Sequence, residues 1–190
     1  PKEAAAALRW GVVEMERRLK VFETVGARNI GFYNQKIQNG ELANEDGEAP
    51  KEMPYIVIVI DELSDLMMAA GKDVEDSIVR ISQLARAAGI HLIVATQRPS
   101  SNVVTGMIKA NITNRIALTV ATGVDSRVIL DQTGAEKLVG HGDMLFSKPE
   151  WGKPKRIQGC YVSDAEINSV VAHLKEQGTP EYHPEILQVK

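Results

Sequence analysis

The sequence predicts an α/β fold in which a mostly parallel sheet is flanked by helices, and two observations support this class. Residues 56–60 (IVIVI) and 90–96 (IHLIVAT) are short runs rich in β-branched residues with little polar alternation, which is typical of parallel strands that helices cover on both faces. Segments with apolar residues at helical spacing lie before and between these runs. Strands that alternate with helices are typical of α/β proteins.

The predicted elements follow in a regular order. The first helix has one apolar stripe, formed by Ala5, Leu8, Val12, Met15, Leu19 and Phe22. Gly26 is expected to end it, and a shorter helix over 29–38 precedes an acidic, solvated loop over 39–54. The later elements are helices over 62–70 and 74–88, a third strand over 115–120, a helix over 125–132, a β pair over 142–147 and 155–162, and a last helix that a Ser163–Glu166 capping box begins and that ends near Gly178.

Length and composition set the limits of the interpretation. The 190 residues are enough for one α/β domain with a substantial core. We expect a helical segment and acidic loop over 1–53 that leads into a core over 54–190. The net charge of −3 gives no general preference for nucleic acid, so a DNA site would require a local basic patch. The single cysteine, Cys160, excludes an internal disulfide, and the four histidines lack metal-site spacing.

Two adjacent carboxylates, Asp61 and Glu62, follow the first strand directly. Open α/β sheets bind ligands at the carboxyl ends of their strands, so these residues lie where a nucleotide site is expected. In this interpretation Asp61 holds a Mg²⁺-bound water and Glu62 polarises the attacking water, which is Walker B chemistry. The alternative is that Asp61 caps the following helix, because Asp is a favoured N-cap residue.

The second strand also ends in polar residues, Thr96 and Gln97. If the two strands are neighbours, these side chains lie beside Asp61 and Glu62, where they can contact a γ-phosphate or its water. The alternative is a simple turn before Pro99. Polar residues at the ends of both strands, "DE" and "TQ", favour a shared site over a helix cap at one strand and a simple turn at the other.

A Walker B site requires a phosphate-binding loop, whose signature is G-x-x-x-x-G-K-[ST]. Gly-Lys pairs occur at 71–72 and 152–153, but neither has the preceding glycine or the following Ser or Thr. The motif is therefore absent from these 190 residues. Either the nucleotide interpretation is wrong, or the polypeptide is part of a larger one.

Several motifs together resemble the motor region of the FtsK/SpoIIIE family of DNA translocases. They are IVIVIDELSDLMM, ISQLARAAGIHLIVATQRPS, IKANITNRIAL, DSRVILDQTGAEKLVGHGDML and YHPEIL, and the resemblance runs from Leu8 to Leu187. It implies a partial RecA-like P-loop ATPase core that forms hexameric rings around double-stranded DNA and moves it with ATP, in chromosome partition, cell division or DNA transfer. In this family the Walker A segment precedes the first helix of this chain, and a membrane-spanning region and a winged-helix domain lie outside it.

The resemblance also implies roles for individual residues. Asp61 is similar to the Mg²⁺-associated aspartate, Glu62 to the catalytic glutamate, and Gln97, with Thr96, to the γ-phosphate sensor. Arg86 resembles the arginine finger that one subunit supplies to the ATP site of the next. The alternative for Arg86 is a helix C-terminal cation favoured by the helix dipole.

Two segments are expected to face DNA. The first runs from Arg98 to Asn111 and contains Lys109, and the second runs from Ala121 to Arg127. In the second segment Gly123 stands where the family often has a basic residue just before "DSR". Since phosphate contacts supply affinity and salt dependence, we expect weak, strongly salt-sensitive duplex binding by the assembled ring. The alternative is that these cations are ordinary solvated surface charges.

The expected function is therefore an ATP-dependent DNA translocase motor, of which this chain is a fragment that is inactive without its phosphate-binding loop. Two alternatives remain: a non-catalytic ring-assembly module, and a related ATPase pump that moves protein or conjugative DNA. The resemblance implies a cytoplasmic location at the inner face of the bacterial membrane, with membrane contact only through regions outside this chain.

Overall fold

A computed structural model describes residues 2–188, and the chain divides into two compact units. The first comprises the chain up to Arg98, Thr105–Asn111 and the end from Glu185, and the second comprises Pro99–Val104 and Ile112–Pro184. In chain order the helices and strands are α1 Lys2–Val25, α2 Ile30–Gln38, β1 Ile56–Ile60, α3 Leu63–Ala88, β2 Ile90–Val94, α4 Gly106–Asn111, β3 Arg115–Ala117, α5 Gly123–Leu130, β4 Asp143–Ser147, β5 Lys155–Gln158 and α6 Asp164–Glu176. No helix in the described part of the chain is long and apolar enough to cross a membrane.

The first unit contains a parallel pair of strands, as predicted. β1 and β2 run side by side in register, from Ile56 opposite Ile90 to Ile60 opposite Val94. α1 and α3 pack against each other in the same unit. At Gly11 on α1, an added Cβ would lie only 3.0 Å from Ile58 Cδ1 and 3.2 Å from Ile81 Cδ1. A glycine at this position therefore allows α1 to approach both β1 and α3 closely.

The expectation that β1 is buried on both faces is wrong for the described residues. Burial alternates along the strand, and the side chains of Val57 and Val59 are 57% and 64% exposed. On β2, Ile93 is likewise 56% exposed. The helices of this unit cover only one face of the pair. An unbroken β-branched run is thus compatible with one-sided burial here, because β-branched residues favour strands whether or not both faces are covered.

The two helices predicted over 62–70 and 74–88 are both present and meet at a kink within α3. α3 runs through both, and Ala70 inside it has non-helical dihedrals of φ −153° and ψ 45°. The helix ends at Gly89 with φ 71°, a left-handed conformation that glycine adopts without strain. A Cβ at this position would meet Ile30 Cδ1 at 2.7 Å. Glycine is therefore required here both for its backbone conformation and for its lack of a side chain.

The predicted stripe of α1 forms the buried side of that helix. Ala5, Leu8, Met15 and Phe22 are buried. Phe22 also belongs to a buried cluster that packs α2 against the end of α1. Its other members are Ala27, Ile30, Tyr33 and Met53. As predicted, α1 stops just before Gly26, which has a φ of 68°.

Arg18 is a buried cation that the apolar stripe did not predict. Arg18 is only 2% exposed. Its guanidinium donates to Glu14 Oε1 at 2.8 Å, to the Pro54 carbonyl at 2.7 Å and to the Ala88 carbonyl at 3.0 Å. These contacts tie α1 to the chain entering β1 and to the end of α3. The ion pair with Glu14 and the hydrogen bonds to two carbonyls compensate for the burial of this charge.

The second unit contains an antiparallel sheet with the strand order β3-β4-β5. The predicted β pair is present, with Asp143 opposite Gln158 and Phe146 opposite Lys155. The third predicted strand, β3, pairs antiparallel with β4 in this sheet and is shorter than expected. A local core of Ala117, Leu130, Ala135 and Leu138 packs beside it. The predicted Ser163–Glu166 capping box begins α6.

Asp143 joins β4 to β5 through a two-pronged ion pair. The carboxylate is buried and accepts from Arg156 Nε at 2.9 Å and Nη2 at 2.8 Å, and also from the Val139 N–H at 2.8 Å. Arg156, and then the Val139 N–H, lower the pKa of Asp143 to about 2. Asp143 is therefore ionised at neutral pH, and the charge of Arg156 is neutralised within the hairpin.

We predict that Arg18→Ala lowers the free energy of unfolding by about 3 kcal/mol, because the change removes the donor to the Pro54 and Ala88 carbonyls and one of the two cations that pair with Glu14. Urea unfolding measures the difference. Arg17→Ala is the matched control, since Arg17 also binds Glu14 but is exposed, and its loss should cost less than about 1 kcal/mol. Equal losses in the two variants would contradict a special role for Arg18.

Candidate functional site

The carboxyl ends of β1 and β2 meet and are tied together by backbone hydrogen bonds. The Ala95 N–H donates to the Ile60 carbonyl at 2.8 Å, and the Leu63 N–H donates to the Ala95 carbonyl at 2.8 Å. The parallel register continues beyond the strands and brings 61–63 next to 95–97. The structure therefore brings together Glu62, Thr96 and Gln97, which the sequence analysis expected to share this edge.

The Glu62 carboxylate is held by donors from both sides of the junction. The Thr96 hydroxyl donates to Oε1 at 2.6 Å, and the Gln97 N–H donates to Oε2 at 2.7 Å. From its own side, the Ser64 hydroxyl donates to Oε1, and the Ser64 N–H lies 3.3 Å from the same oxygen. Both carboxylate oxygens thus accept hydrogen bonds from the protein.

These donors favour the ionised carboxylate. The Ser64 hydroxyl, then the Thr96 hydroxyl and the Gln97 N–H, lower the pKa of Glu62 to about 2. A carboxylate in this environment is negatively charged at neutral pH and is a weak proton acceptor. The arrangement therefore suits a fixed negative charge that orients a neighbouring donor.

The helix-capping alternative for Asp61 is wrong, because the N-cap of α3 is Glu62. Asp61 lies in the bend between β1 and α3 and is exposed. Mg²⁺ binds through one or two carboxylates together with waters and phosphates, so an exposed carboxylate at this edge fits such an ion. Among residues 2–188 no group of three or more His, Cys, Asp or Glu side chains is arranged as a metal site.

Thr96 and Gln97 contribute in different ways. Thr96 uses its hydroxyl both to donate to Glu62 and to accept from the Arg98 N–H at 3.1 Å. Gln97 contacts Glu62 through its backbone, and the residue itself is exposed. The chain bends at Gln97 before Pro99, and the same segment holds Glu62.

Arg86 lies at the other end of the same unit. It is exposed in the last turn of α3, three residues before Gly89, whose carbonyl accepts from the Ile56 N–H at 2.9 Å. Arg86 is thus beside the amino ends of the strands, whereas Glu62 is at their carboxyl ends. Five-residue strands span about 17 Å, so one chain does not bring the two side chains together.

The predicted DNA-facing residues lie in both units. Arg98 is exposed, and Lys109 is half-buried on α4 in the first unit. Arg127 is exposed on α5 in the second. The segment expected to be a loop over 121–127 is mostly helical, because Thr122 and Asp125 form a capping box that begins α5 at Gly123.

Sequence reasoning missed the role of Ser64. It is 2% exposed, and its hydroxyl and N–H both face Glu62. The signal was present in "DELS", since a Ser two residues after an N-cap can return a hydroxyl hydrogen bond to the cap. Recognising it required knowing that Glu62, rather than Asp61, occupies the cap.

Sequence comparison relates the chain to a known family. A model of the FtsK/SpoIIIE family matches residues 1–101. The "DNA translocase SpoIIIE" of Bacillus subtilis (strain 168) is 54% identical over 187 residues, which cover 98% of this chain and 24% of that protein. The chain thus spans about a quarter of the length of the curated relatives that it matches.

Solved structures show the same fold. The pCW3 conjugation coupling protein TcpA in its monomer form with ATPgS has a TM-score of 0.76 at 30% identity, covering 92% of this chain and 49% of that one. The cytoplasmic domain of the type VII secretion ATPase EccC of Thermomonospora curvata has a TM-score of 0.73 at 26% identity, covering 95% and 20%. The expected partial ATPase core of the α/β class is therefore confirmed as the fold of this chain.

Proposed function

Because the chain belongs to the FtsK/SpoIIIE family, we propose that it is the catalytic-carboxylate half of an ATP-driven motor that moves double-stranded DNA. One observation carries this proposal: the adjacent ends of two parallel strands hold an ionised Glu62 directly after the exposed Asp61. This is the edge at which α/β sheets bind ligands. The assignment of DNA as the substrate rests on the family and on its members named as DNA translocases.

ATP and Mg²⁺ are the proposed ligands of this edge. Asp61 would hold the ion through a water, and the ion would supply charge neutralisation to the phosphates. The Thr96 hydroxyl and the Gln97 side chain would reach the terminal phosphate from the end of β2. The phosphate-binding motif does not occur in the 190 residues, so another part of the protein would supply it, and we propose that this chain alone does not turn over ATP.

Glu62 is proposed to orient the attacking water. In this structure its oxygens accept from Ser64, Thr96 and Gln97. To accept from a water as well, the carboxylate must use a remaining lone pair or release one of these donors. Since both Thr96 and Gln97 lie on the segment proposed to sense the phosphate, a shift of that segment would change how Glu62 is held.

Arg86 is proposed to act on the ATP site of a neighbouring subunit. Its place at the opposite ends of the strands from Glu62, together with its exposure, supports action on a neighbouring subunit over action within its own chain. A guanidinium that contacts the transferred phosphate stabilises the charge of the transition state. This division of the site between subunits agrees with the proposed ring, which is hexameric in the full protein.

Arg98, Lys109 and Arg127 are proposed to contact the DNA backbone, and the segments that carry them would move it as ATP is hydrolysed. We place this part of the protein in the cytoplasm, with any membrane anchor elsewhere in the full protein.

The structural likeness to a conjugation coupling protein and to a secretion ATPase favours one second candidate, a pump for conjugative DNA or protein. The higher identity to DNA translocases, 54% against 30% and 26%, favours the first.

We predict that Glu62→Gln in the full protein lowers ATP turnover at least about 100-fold while ATP affinity changes less than about threefold. The amide keeps the shape of the side chain but removes its charge. DNA-stimulated ATPase assays and nucleotide titration measure the two effects. Asp65→Asn is the control, since Asp65 is an exposed carboxylate in the first turn of α3. Near-normal turnover by the Glu62 variant would remove Glu62 from the reaction, and stimulation of the unmodified protein by a peptide but not by duplex DNA would favour the second candidate.

If Arg86 acts between subunits, two inactive variants should complement each other. We predict that Arg86→Ala and Glu62→Gln proteins are each inactive alone but recover measurable ATPase activity when mixed. A mixed ring contains interfaces at which an intact Glu62 meets an intact Arg86. ATPase activity against mixing ratio tests this. Full activity of the Arg86 variant alone, or no recovery at any ratio, would contradict action in trans.

The proposed DNA contacts predict a change in salt dependence. Lys109→Ala and Arg127→Ala in the full protein should each reduce the slope of log affinity against log salt by about 0.9 for each phosphate contact that is lost. Lys20→Ala is the control, since Lys20 is exposed on α1. Fluorescence anisotropy with a labelled duplex at several salt concentrations gives the slopes. Slopes that match the unmodified protein would show that these cations do not contact DNA phosphates.

A further inference from the structure

The hairpin of β4 and β5 has a basic end that the proposed site does not use. Lys148 follows β4, Lys153 precedes β5, and Lys155 is the first residue of β5. We call these three residues the lysine tip. Residues 148–156 (KPEWGKPKR) contain four basic residues and one acidic residue, although the chain as a whole has a net charge of −3. Positive charge is therefore concentrated at one end of the hairpin in an acidic chain.

The charges of the lysine tip are not neutralised by the fold. Within residues 2–188 none of the three lysines forms an ion pair with a carboxylate. The fourth basic residue, Arg156, is different, because the buried Asp143 binds it with two hydrogen bonds. Of the four basic residues, Arg156 therefore stabilises the hairpin, and the three lysines can interact with solvent or a ligand.

Aromatic rings position two of these lysines. Trp151 packs edge-on against Phe146, with their centroids 5.1 Å apart at an angle of 73°. The Lys148 ammonium lies 5.1 Å from the centroid of the Trp151 ring, and the Lys155 ammonium lies 4.3 Å from it. Both charges are thus held near one ring, which reduces the side-chain freedom that binding would remove.

The chemistry of the lysine tip suits a row of phosphates. Lysine ammoniums are point charges with rotatable donors, which contact phosphate oxygens without reading base sequence. Trp151 is half-buried, and its ring already lies against Phe146 and two lysines, so it is not free for stacking on an unpaired base. The surface therefore fits the backbone of a duplex better than it fits a single strand.

We propose that the lysine tip is an additional binding surface for the phosphate backbone of double-stranded DNA, separate from the segments that carry Arg98, Lys109 and Arg127. This inference rests on the proposed function, because it takes DNA as the substrate of the motor. The surface adds affinity that depends on salt and not on sequence. It belongs to the second unit alone, so it requires no particular arrangement of the two units.

The test uses the full protein and a labelled duplex of mixed sequence. A variant with Lys148, Lys153 and Lys155 all replaced by alanine should bind the duplex at least about tenfold more weakly near 0.1 M salt, and its salt slope should fall by about 0.9 for each phosphate that is no longer neutralised. The matched control replaces Lys20, Lys51 and Lys175, which are exposed, and should keep the slope of the unmodified protein. Replacing the tip lysines by arginine should also keep it.

The outcomes separate this inference from the proposed function. An unchanged slope in the triple variant, in a protein whose ATPase is still stimulated by DNA, overturns the lysine tip alone. An unmodified protein that neither binds duplex DNA nor is stimulated by it overturns the proposed function. Unchanged duplex binding with weakened binding to vesicles of anionic lipid, or to an acidic peptide, assigns the surface to a different partner and overturns this inference.

A single substitution makes the test independent of the folding of the triple variant. Lys153 has no ring contact among those described, so Lys153→Gln should leave the hairpin intact and reduce the slope by about 0.9 for each phosphate contact that is lost. Trp151→Leu should weaken binding with the slope unchanged, since it releases the lysines without removing charge. A Lys153 variant with the slope of the unmodified protein, together with a Trp151 variant of normal affinity, also overturns the inference.

Discussion

The parallel pairing of β1 with β2 is the interaction on which the candidate site depends. Its register, from Ile56 opposite Ile90 to Ile60 opposite Val94, places the two strand ends at the same height. The Gln97 N–H can therefore donate to the carboxylate of Glu62, 35 positions earlier in the sequence. A shift of one residue would turn every side chain to the other face of the sheet and would separate Glu62 from Thr96. Arg18 and Gly89 support this pairing, because each secures the chain where it enters the two strands.

The contacts of Glu62 combine a structural and a chemical role in one side chain. As the N-cap it accepts from the first turn of α3, and through Thr96 and Gln97 it closes the junction between the strands. The same contacts keep it ionised, so the negative charge is present before any ligand arrives. An ATPase with this arrangement would couple the state of the phosphate to the position of the segment after β2, because both depend on the same carboxylate.

The distribution of charge gives the two units different properties. In the first unit the exposed Asp61 and the ionised Glu62 form a negative edge suited to a metal–phosphate ligand. In the second, the Asp143–Arg156 pair stabilises a hairpin whose lysines form no ion pair in the described structure. The net charge of −3 does not reveal this local basic surface. Arg86 is exposed at the amino ends of the strands, away from this negative edge.

The sequence by itself determined the elements and the chemistry of their ends, since spacing, caps and glycines act over a few residues. The stripe of α1, the Ser163–Glu166 box and the polar ends of both strands were all predictable in this way. Only the tertiary structure decided which groups meet: that Glu62 rather than Asp61 caps α3, that Gln97 binds through its backbone, and that β3 joins the antiparallel sheet. It also decided that one face of β1 is exposed and that Arg18 is buried. These outcomes depend on partners tens of residues away, and a local pattern contains no information about the register and packing that select them.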